Sequence, residues 1–161
     1  MSAIKIMTHF KFFVIIMFTG FQNFISAQDL REHVWKDRVI VVFTADESSE
    51  LFTQQLDELQ SDREGLDDRK LVLYSITPTH VRKGWENGEW EVSNESLNHI
   101  LEAKGNFEVV LLGLDGSVKL RQDQLLKRDK LYNIIDSMPM RRHALKSRDS
   151  SLKKIKLNFF K

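Results

Sequence analysis

The sequence predicts one α/β domain in which a mixed sheet of about four to five strands is flanked by helices. The continuous β-branched run 38–44 and the mostly apolar run 70–76 are typical of strands buried on both faces, and such strands are usually parallel. An amphipathic helix pattern lies between these runs, and an Asp-Gly turn joins two further strand patterns near the end of the chain. A parallel pair followed by a hairpin predicts a mixed sheet.

The first strand leads directly into the predicted helix. Thr44 and Glu47 have the spacing of a capping box, and an apolar stripe continues to about residue 61. The stripe consists of Leu51, Phe52, Leu56 and Leu59. An acidic loop around Gly65 is expected before the second strand, 70–76. Strand, helix and strand therefore predict a βαβ unit with a right-handed crossover.

The segment 78–93 interrupts this alternation and is predicted to be an inserted hairpin. Asn87 and Gly88 lie between Trp85 and Trp90, where they favour a type I′ turn. The two tryptophans could form a sugar-binding or partner-binding surface, because exposed aromatic faces stack on apolar rings. Packing of the hairpin onto the domain is the favoured interpretation.

Two more helices are predicted. Ser93 or Asn94 can cap a helix that runs to Ala103, and the last helix begins at about Lys127. Pro139 should end or kink that last helix. Between the two helices, Asp115-Gly116 joins a strand at 107–113 to one at 117–121. The order of elements is the thioredoxin-like one.

The first 27 residues are typical of a cleavable export signal. Basic Lys5 and Lys11 precede the apolar run 12–21, and cleavage is expected after Ala27. A membrane span needs roughly 20 apolar residues, which this run does not reach. The expected organisation is a signal peptide at 1–27, a domain at 28–146 and a basic tail at 147–161, with a periplasmic or extracellular location and no transmembrane segment in the mature protein.

The charge is distributed unevenly along the chain. Residues 28–140 contain 14 basic and 22 acidic side chains, whereas 141–161 contain 8 basic and 1 acidic. Such a basic tail could meet anionic lipid, an acidic partner or the acidic body of its own domain. The stretch 153–161 alternates apolar and basic residues, so it could add a strand to a sheet edge, lie on an anionic membrane or fray. Nucleic acid is not an expected partner outside the cytoplasm.

The chain contains no cysteine, which excludes disulfides, thiolate metal sites and thiol catalysis. In thioredoxins and peroxiredoxins the working cysteine follows the first core strand, at a helix N-terminus. Here the corresponding residues, 44–50, are acidic and hydroxyl side chains, which favours a merely capped helix. The five histidines form no metal-binding pattern, and no phosphate loop or nucleophile elbow occurs. We therefore expect no metal, no cofactor and no thiol redox activity.

The main candidate for a binding site is a group of cations. Lys119 and Arg121 point the same way on one strand, and Arg141 and Arg142 follow the last helix. If the end of this helix returns to the strand, the four cations converge. They could hold a carboxylate, phosphate or sulfate group. Alternatively, they could neutralise Asp115, Asp136 and the acidic body of the domain.

Three segments resemble a known family: 35–43, 107–121 with its Asp-Gly turn, and 135–142 with its Met-Pro-Met-Arg-Arg run. Over about 30–145 the chain resembles the bacterial domain of unknown function DUF4174, which is related to peroxiredoxin-like domains of animal equarin and sushi-repeat extracellular proteins. The resemblance implies a thioredoxin-like fold that generally lacks the redox cysteines, an extracytoplasmic setting and no established activity. The chain departs from the family pattern at Leu114, where lysine is usual, and at Ala144-Leu145, where Glu-Met is usual.

The positions that match the family motifs form the predicted binding set. This set consists of Asp115, Gly116, Lys119, Arg121, Asp136, Arg141 and Arg142. The leading hypothesis is an exported, non-catalytic module that binds an anionic ligand or a protein partner through this set. The alternatives are an enzyme with thiol-independent chemistry at the same charged cluster, for which the cations would stabilise a developing negative charge, and a purely structural envelope protein.

Overall fold

The structure, a computed structural model, describes residues 30–85, 88–93 and 105–159. Three of the sequence predictions lie outside these ranges: the export signal, the turn residue Asn87 and the helix expected at 94–103. No helix in the described part of the chain is long and apolar enough to cross a membrane.

Six strands of the described part of the chain form one mixed sheet. They are β1 Arg38–Thr44, β2 Leu71–Ile76, β3 His80–Lys83, β4 Glu91–Val92, β5 Phe107–Leu112 and β6 Val118–Gln122. The order across the sheet is β4-β3-β2-β1-β5-β6. β1 and β2 are parallel, and every other neighbouring pair is antiparallel. A central parallel pair flanked by an antiparallel hairpin is the thioredoxin-like arrangement, and the predicted fold class is confirmed.

Within the described ranges, four α-helices and one short 3-10 helix accompany the sheet. They are the 3-10 helix Leu30–His33, α1 Glu50–Gln60, α2 Arg63–Asp68, α3 Arg128–Ser137 and α4 Pro139–Phe159. The sheet has more strands than predicted, because the short hairpin β3–β4 extends it beyond β2. Trp85, which follows β3, is 8% exposed and belongs to the main core, so the packed interpretation of this tryptophan is confirmed.

The central strands carry a separate hydrophobic cluster on each face. Side chains alternate along a strand, so Ile40 and Val42 of β1 join one cluster and Val39 and Val41 join the other. The first cluster also contains the buried residues of α1, α2 and α3, namely Phe52, Leu59, Leu66, Leu131 and Ile135. Each fully buried Leu or Ile contributes about 1.5–3 kcal/mol of transfer free energy. The helices are therefore held on this face by their apolar stripes.

The predicted capping box at Thr44 is wrong. Thr44 is the last residue of β1 and pairs with Phe107 of β5, so its backbone belongs to the sheet. Its hydroxyl donates to the backbone oxygen of Asp46 at 2.7 Å, and α1 begins only at Glu50. Pairing with β5 extends the strand past the point where the local pattern indicated a helix start.

The acidic loop expected around Gly65 is also wrong, because this segment forms α2. The Asp62 side chain accepts a hydrogen bond from the Gly65 backbone N–H at 2.9 Å, as an N-cap does. Leu66 is fully buried against the core. The cap and this one apolar residue are sufficient to fix a helix of six residues.

The chain after Pro139 forms a long helix rather than an edge strand. α3 ends at Ser137, Met138 is extended, and Pro139 occupies the first position of α4, where its missing N–H costs nothing. The predicted break at Pro139 is thus confirmed. Of the alternatives for 153–161, the edge strand is wrong over the described part, which is helical to Phe159. No Gly or Pro follows Pro139, and Leu, Lys, Arg and Ala are good helix formers.

Candidate functional site

Arginine and aspartate side chains form a network at the amino-terminal end of β1 and β2. Arg141, in the first turn of α4, donates from Nε to Asp136 Oδ1 at 3.0 Å and from Nη1 to the Asp68 backbone oxygen at 2.8 Å. Its Nη2 also bonds the Asp68 carboxylate, whose other oxygen accepts from Arg148 at 2.9 Å. The hydrogen bond from Arg141 holds the pKa of Asp68 below its usual value. The Arg–Asp network consists of Arg38, Arg69, Arg141, Arg148, Asp68 and Asp136.

Arg69 anchors the middle of this network. Its Nη2 donates to Asp136 Oδ2 at 2.5 Å and its Nη1 to the Gly65 backbone oxygen at 2.8 Å. The guanidinium carbon lies 3.7 Å from the ring centroid of Tyr132, a cation–π contact. The Tyr132 hydroxyl donates to Asp62 Oδ2 at 3.1 Å. Burial, followed by the contact with Asp62, raises the pKa of Tyr132 to about 12. Asp136 therefore bridges two arginines whose positions are fixed by packing.

Arg38 opens β1 and is the most buried member of the network. Its side chain reaches the backbone oxygen of Arg69 through Nη1 at 2.8 Å, and the residue is 4% exposed. Arg38 Nε is buried and has no hydrogen-bond partner within the described ranges, and the same is true of Arg69 Nε. Burial lowers the pKa of Arg38, as does the positive charge of Arg141, whereas Asp136 opposes this effect. An unpaired buried donor costs about 1–3 kcal/mol, so the fold holds Arg38 here at a cost in stability.

The charges of the network do not balance. Its four guanidinium groups face the carboxylates of Asp68 and Asp136, and the charge of Arg69 also acts on nearby Asp62, which leaves positive charge in excess. Low exposure strengthens electrostatic interactions relative to water. The site therefore favours a negative group nearby.

A cleft of about 370 Å³ lies beside Arg38 and is called the Arg38 cleft here. Its lining is mostly apolar and consists of Trp35, Arg38, Leu114, Asp115, Lys119, Met138, Pro139 and Met140. Trp35 is 66% exposed and has a left-handed backbone with φ of 64°. Its backbone N–H donates to the Leu114 oxygen at 2.6 Å, which ties this residue to the loop after β5. Apolar walls around a few polar groups are typical of small-molecule sites.

Lys119 and Asp115 form the charged rim of the cleft. A β-bulge in the β5–β6 pairing makes Lys119 an extra residue, and its Nζ lies 2.8 Å from Asp115 Oδ2. Gly113 allows this arrangement, because a Cβ there would collide with the Lys119 stem and the Asp115 carboxylate. Gly116 has a φ of 74°, as the Asp-Gly turn requires. The Lys119 hydrogen bond, and then the Ser117 N–H, lower the pKa of Asp115 to about 2.

Comparison with known proteins assigns the family. Residues 29–144 match the model of a domain of unknown function, DUF4174. The chain belongs to this family. No curated protein matches the sequence. Among solved structures the chain is similar to the reduced 2-Cys peroxiredoxin of Plasmodium vivax, at 16% identity and a TM-score of 0.49 over 71% of this chain and 83% of that one. It is also similar to the mitochondrial 2-Cys peroxiredoxin of Plasmodium falciparum, at 14% identity and a TM-score of 0.48 over 67% and 79%.

The structure brings together only part of the predicted binding set. Asp115 and Lys119 line the Arg38 cleft with Gly116 in the adjoining turn, and Asp136 and Arg141 belong to the Arg–Asp network. In this DUF4174 chain, then, the network and the cleft meet at Arg38, which is a member of both.

The expected convergence of four cations does not occur. Arg121 Nη1 donates to Glu108 Oε1 at 2.7 Å, across the hairpin from β6 to β5. Arg141 and Arg142 are successive helical residues and so point about 100° apart. Arg141 is 9% exposed, whereas Arg142 lies on the surface beside His143 and Lys146. The helix geometry separates the two arginines that adjacency in sequence had grouped.

Four members of the site were not predicted from the sequence: Arg38, Arg69, Asp68 and Trp35. A signal for the first two was present, because both buried strands carry an arginine at or just before their first residue. A charge at the entrance of an otherwise apolar buried strand requires a partner. For Trp35 and Asp68 no comparable local signal exists.

At the opposite end of β1, where thioredoxin-like folds place their cysteine, the side chains of Thr44 and Asp46 make local hydrogen bonds. Asp46 Oδ1 accepts from the Ser48 N–H at 2.9 Å and from its hydroxyl at 2.7 Å. These hydrogen bonds hold the pKa of Asp46 below its usual value. The Ser49 side chain makes no capping hydrogen bond to α1. Across the described ranges, no group of three or more His, Asp or Glu side chains could hold a metal ion.

Proposed function

We propose that this DUF4174 domain is a non-catalytic binding module that holds a small organic anion in the Arg38 cleft. The observation that carries the proposal is the place of Arg38, which lines the cleft and also belongs to the Arg–Asp network. The network has excess positive charge, and the rest of the cleft lining is mostly apolar. An anion with an apolar body complements both properties.

The two cations at the cleft have different roles in this proposal. Arg38 is fixed by its hydrogen bond to Arg69 and by burial, so it offers a positive charge that loses little side-chain freedom on binding. Lys119 uses one of its three donors on Asp115 and is about one-third exposed, so it can contact a ligand at the rim. Met138 and Met140 supply adaptable apolar contact for the body of the ligand.

The proposal is tested first with a pair of probes that differ only in charge. Binding of 2-naphthoate and of its neutral analogue 2-naphthamide to the full chain is measured by isothermal titration calorimetry. One charge-assisted hydrogen bond is worth about 1.5–3 kcal/mol, so the carboxylate should bind at least about tenfold more tightly. Added salt should weaken the binding of 2-naphthoate and leave the binding of 2-naphthamide unchanged.

Variants locate the interaction. Arg38→Met and Lys119→Met preserve much of the side-chain length, and each should reduce the preference for the carboxylate over the amide. Lys130→Met is the matched control, because Lys130 is exposed on α3 and does not line the cleft. Circular dichroism establishes whether the buried Arg38 variant is folded, and Arg38→Lys, which keeps the charge, should retain part of the preference. Equal binding of acid and amide, or full preference in both methionine variants, would overturn the proposal.

We also propose that the domain acts after export from the cytoplasm. The order of basic residues, apolar run and small residue before Gln28 supports this proposal. N-terminal sequencing of the protein recovered from the non-cytoplasmic fraction of expressing cells should begin at Gln28. Recovery in the cytoplasm with an intact N-terminus is the contrary result.

A further inference from the structure

Trp35 has an unusual backbone conformation for a bulky side chain. Its φ of 64° lies in the left-handed region, which favours glycine and disfavours large residues. Its side chain is nevertheless mostly in solvent, so core packing does not explain the conformation. Strained residues that persist in a fold are held by their surroundings and are concentrated at binding sites.

A buried histidine holds the turn that contains Trp35. The backbone N–H groups of Lys36 and Asp37 donate to the His33 oxygen, each at 2.9 Å. The His33 ring lies with Nδ1 2.9 Å from Asp37 Oδ2 and with Nε2 2.9 Å from the Tyr74 hydroxyl. His33 therefore joins both ends of the turn to the fully buried Tyr74 of β2.

Charged side chains also contact His33 and link the turn that contains Trp35 to β3. Glu32 Oε1 lies 3.3 Å from His33 Nε2 and accepts from Lys83 Nζ of β3 at 2.6 Å. Lys83 Nζ also lies 5.7 Å from the centroid of the Tyr74 ring. The turn is thus connected to β2 and β3 through side chains, while the Trp35 N–H connects it to the loop after β5. These contacts fix the turn that carries the indole of Trp35.

The side chains that line the Arg38 cleft with Trp35 favour contact with a planar ring. Trp35 lines the Arg38 cleft together with Met138, Pro139 and Met140. Thioether sulfurs make favourable contacts with aromatic rings, and a planar ring can stack on the exposed indole. A saturated body of the same size would fill the cleft without these contacts.

We propose that the anion held in the Arg38 cleft is aromatic, and that Trp35 selects it by stacking. This inference rests on the proposed function, because it names the chemical class of the ligand at that site. Trp35 is the specificity-determining residue, and His33 and Asp37 are positioning residues that act through the turn.

The test compares 2-naphthoate with decahydro-2-naphthoate, which has the same carbon skeleton and charge but no aromatic ring. An aromatic pair is worth roughly three- to tenfold in affinity beyond area burial, so the wild-type chain should prefer naphthoate by about this factor. Trp35→Leu should abolish the preference while keeping the preference for naphthoate over naphthamide. Equal binding of the two acids by the wild type, or an undiminished preference in Trp35→Leu, overturns the inference.

Asp37→Asn tests the positioning step, because it weakens the contact with His33 while keeping the size of the side chain. It should reduce the preference for the aromatic acid and leave the preference for acid over amide intact, which general destabilisation would not do. Tyr74→Phe removes a second contact of the imidazole, the one at Nε2 with the Tyr74 hydroxyl, and should act in the same direction. Asp67→Asn is the matched control, since Asp67 is exposed nearby and makes no side-chain contact with His33. Unchanged aromatic preference in both Asp37→Asn and Tyr74→Phe overturns the positioning role.

The outcomes separate the two proposals. If both acids bind equally well and more tightly than the amide, the anion site stands and the aromatic inference fails. If neither acid binds, the anion site itself fails and the aromatic inference fails with it.

Discussion

The two ends of β1 differ in how far along the chain their side-chain hydrogen bonds reach. At the carboxyl end, the Asp46 side chain contacts Ser48, two residues away, and the long-range contact is one of the backbone, from the Ala45 N–H to the Asn106 oxygen at 2.9 Å. At the amino end, Arg141 contacts Asp68 across 73 residues, and Arg69 contacts Asp136 across 67. The amino end therefore brings together charged side chains from β1, α2, α3 and α4.

This difference supports the position of the proposed ligand site. Thioredoxin-like enzymes place their cysteine at the carboxyl end, and here the side chains of Thr44 and Asp46 make short-range hydrogen bonds. The amino end has a cleft, excess positive charge and buried N–H donors without partners among the described residues. The proposed site therefore lies at the end of β1 opposite to the one used for thiol chemistry.

The largest expected effect comes from removing Arg141 from the network. Arg141→Ala removes one of the two arginine partners of Asp68 and of Asp136, which keep Arg148 and Arg69, and breaking a buried ion pair costs about 3–5 kcal/mol. Because these carboxylate side chains are 36% and 30% exposed, we expect a loss near the lower limit, about 3 kcal/mol in the free energy of unfolding. Urea denaturation measures it.

The neighbouring arginine provides the control for this prediction. Arg142→Ala changes the same residue type on the surface of α4 and should alter stability by less than about 0.5 kcal/mol. Equal losses for the two variants would contradict the structural role assigned to Arg141.

The second largest effect is expected at Gly113, beside the cleft rim. Gly113→Ala places a methyl group against the Lys119 stem and the Asp115 carboxylate, and overpacking typically costs about 1–3 kcal/mol. Truncating the lysine should relieve part of the clash, so the cost of Gly113→Ala should be smaller in a Lys119→Ala background. A double-mutant cycle in urea denaturation measures this coupling. Strictly additive losses in the free energy of unfolding would show that residues 113 and 119 do not contact each other.

A smaller effect concerns the pH dependence of the rim. The pKa of Asp115 is lowered to about 2, so its contribution to stability is present above its usual value of 3.8 and is lost as the pH falls toward 2. Titration of the Asp115 carboxyl carbon by NMR should give a midpoint near 2. Lys119→Met removes the largest cause of the shift and should raise the midpoint toward 3.8, with Ser117 still lowering it in part. A midpoint unaffected by this substitution would contradict the assigned pair.

The smallest effect is expected at the carboxyl end of β1. Ser48→Ala removes the exposed hydroxyl that donates to Asp46, and surface changes of this kind alter stability by less than about 0.5 kcal/mol. Affinity for 2-naphthoate should change by less than about twofold, since the residue lies outside the Arg38 cleft. A large loss of 2-naphthoate binding in this variant would place the ligand site at the carboxyl end of β1 instead of the amino end.

The strands were predictable because their signal is local. β1 and β5 are buried along their whole length, as continuous apolar runs indicate, and Asp115-Gly116 forms the expected turn. Helix boundaries were harder to predict. The spacing of Thr44 and Glu47 is that of a cap, but pairing with Phe107 holds Thr44 in the sheet. That competing interaction comes from a residue more than sixty positions away.

By itself, the sequence determined the fold class, the family resemblance and the absence of thiol chemistry, because apolar periodicity, turn residues and cysteine count can be read locally. Only the tertiary structure decided which charges meet. The parallel register pairs Arg38 with Leu71 and so brings Arg38 to the backbone of Arg69. The break at Pro139 sets the direction of α4, which turns Arg141 inward and Arg142 outward. Contacts between distant segments depend on how the elements pack, and no local pattern records that packing.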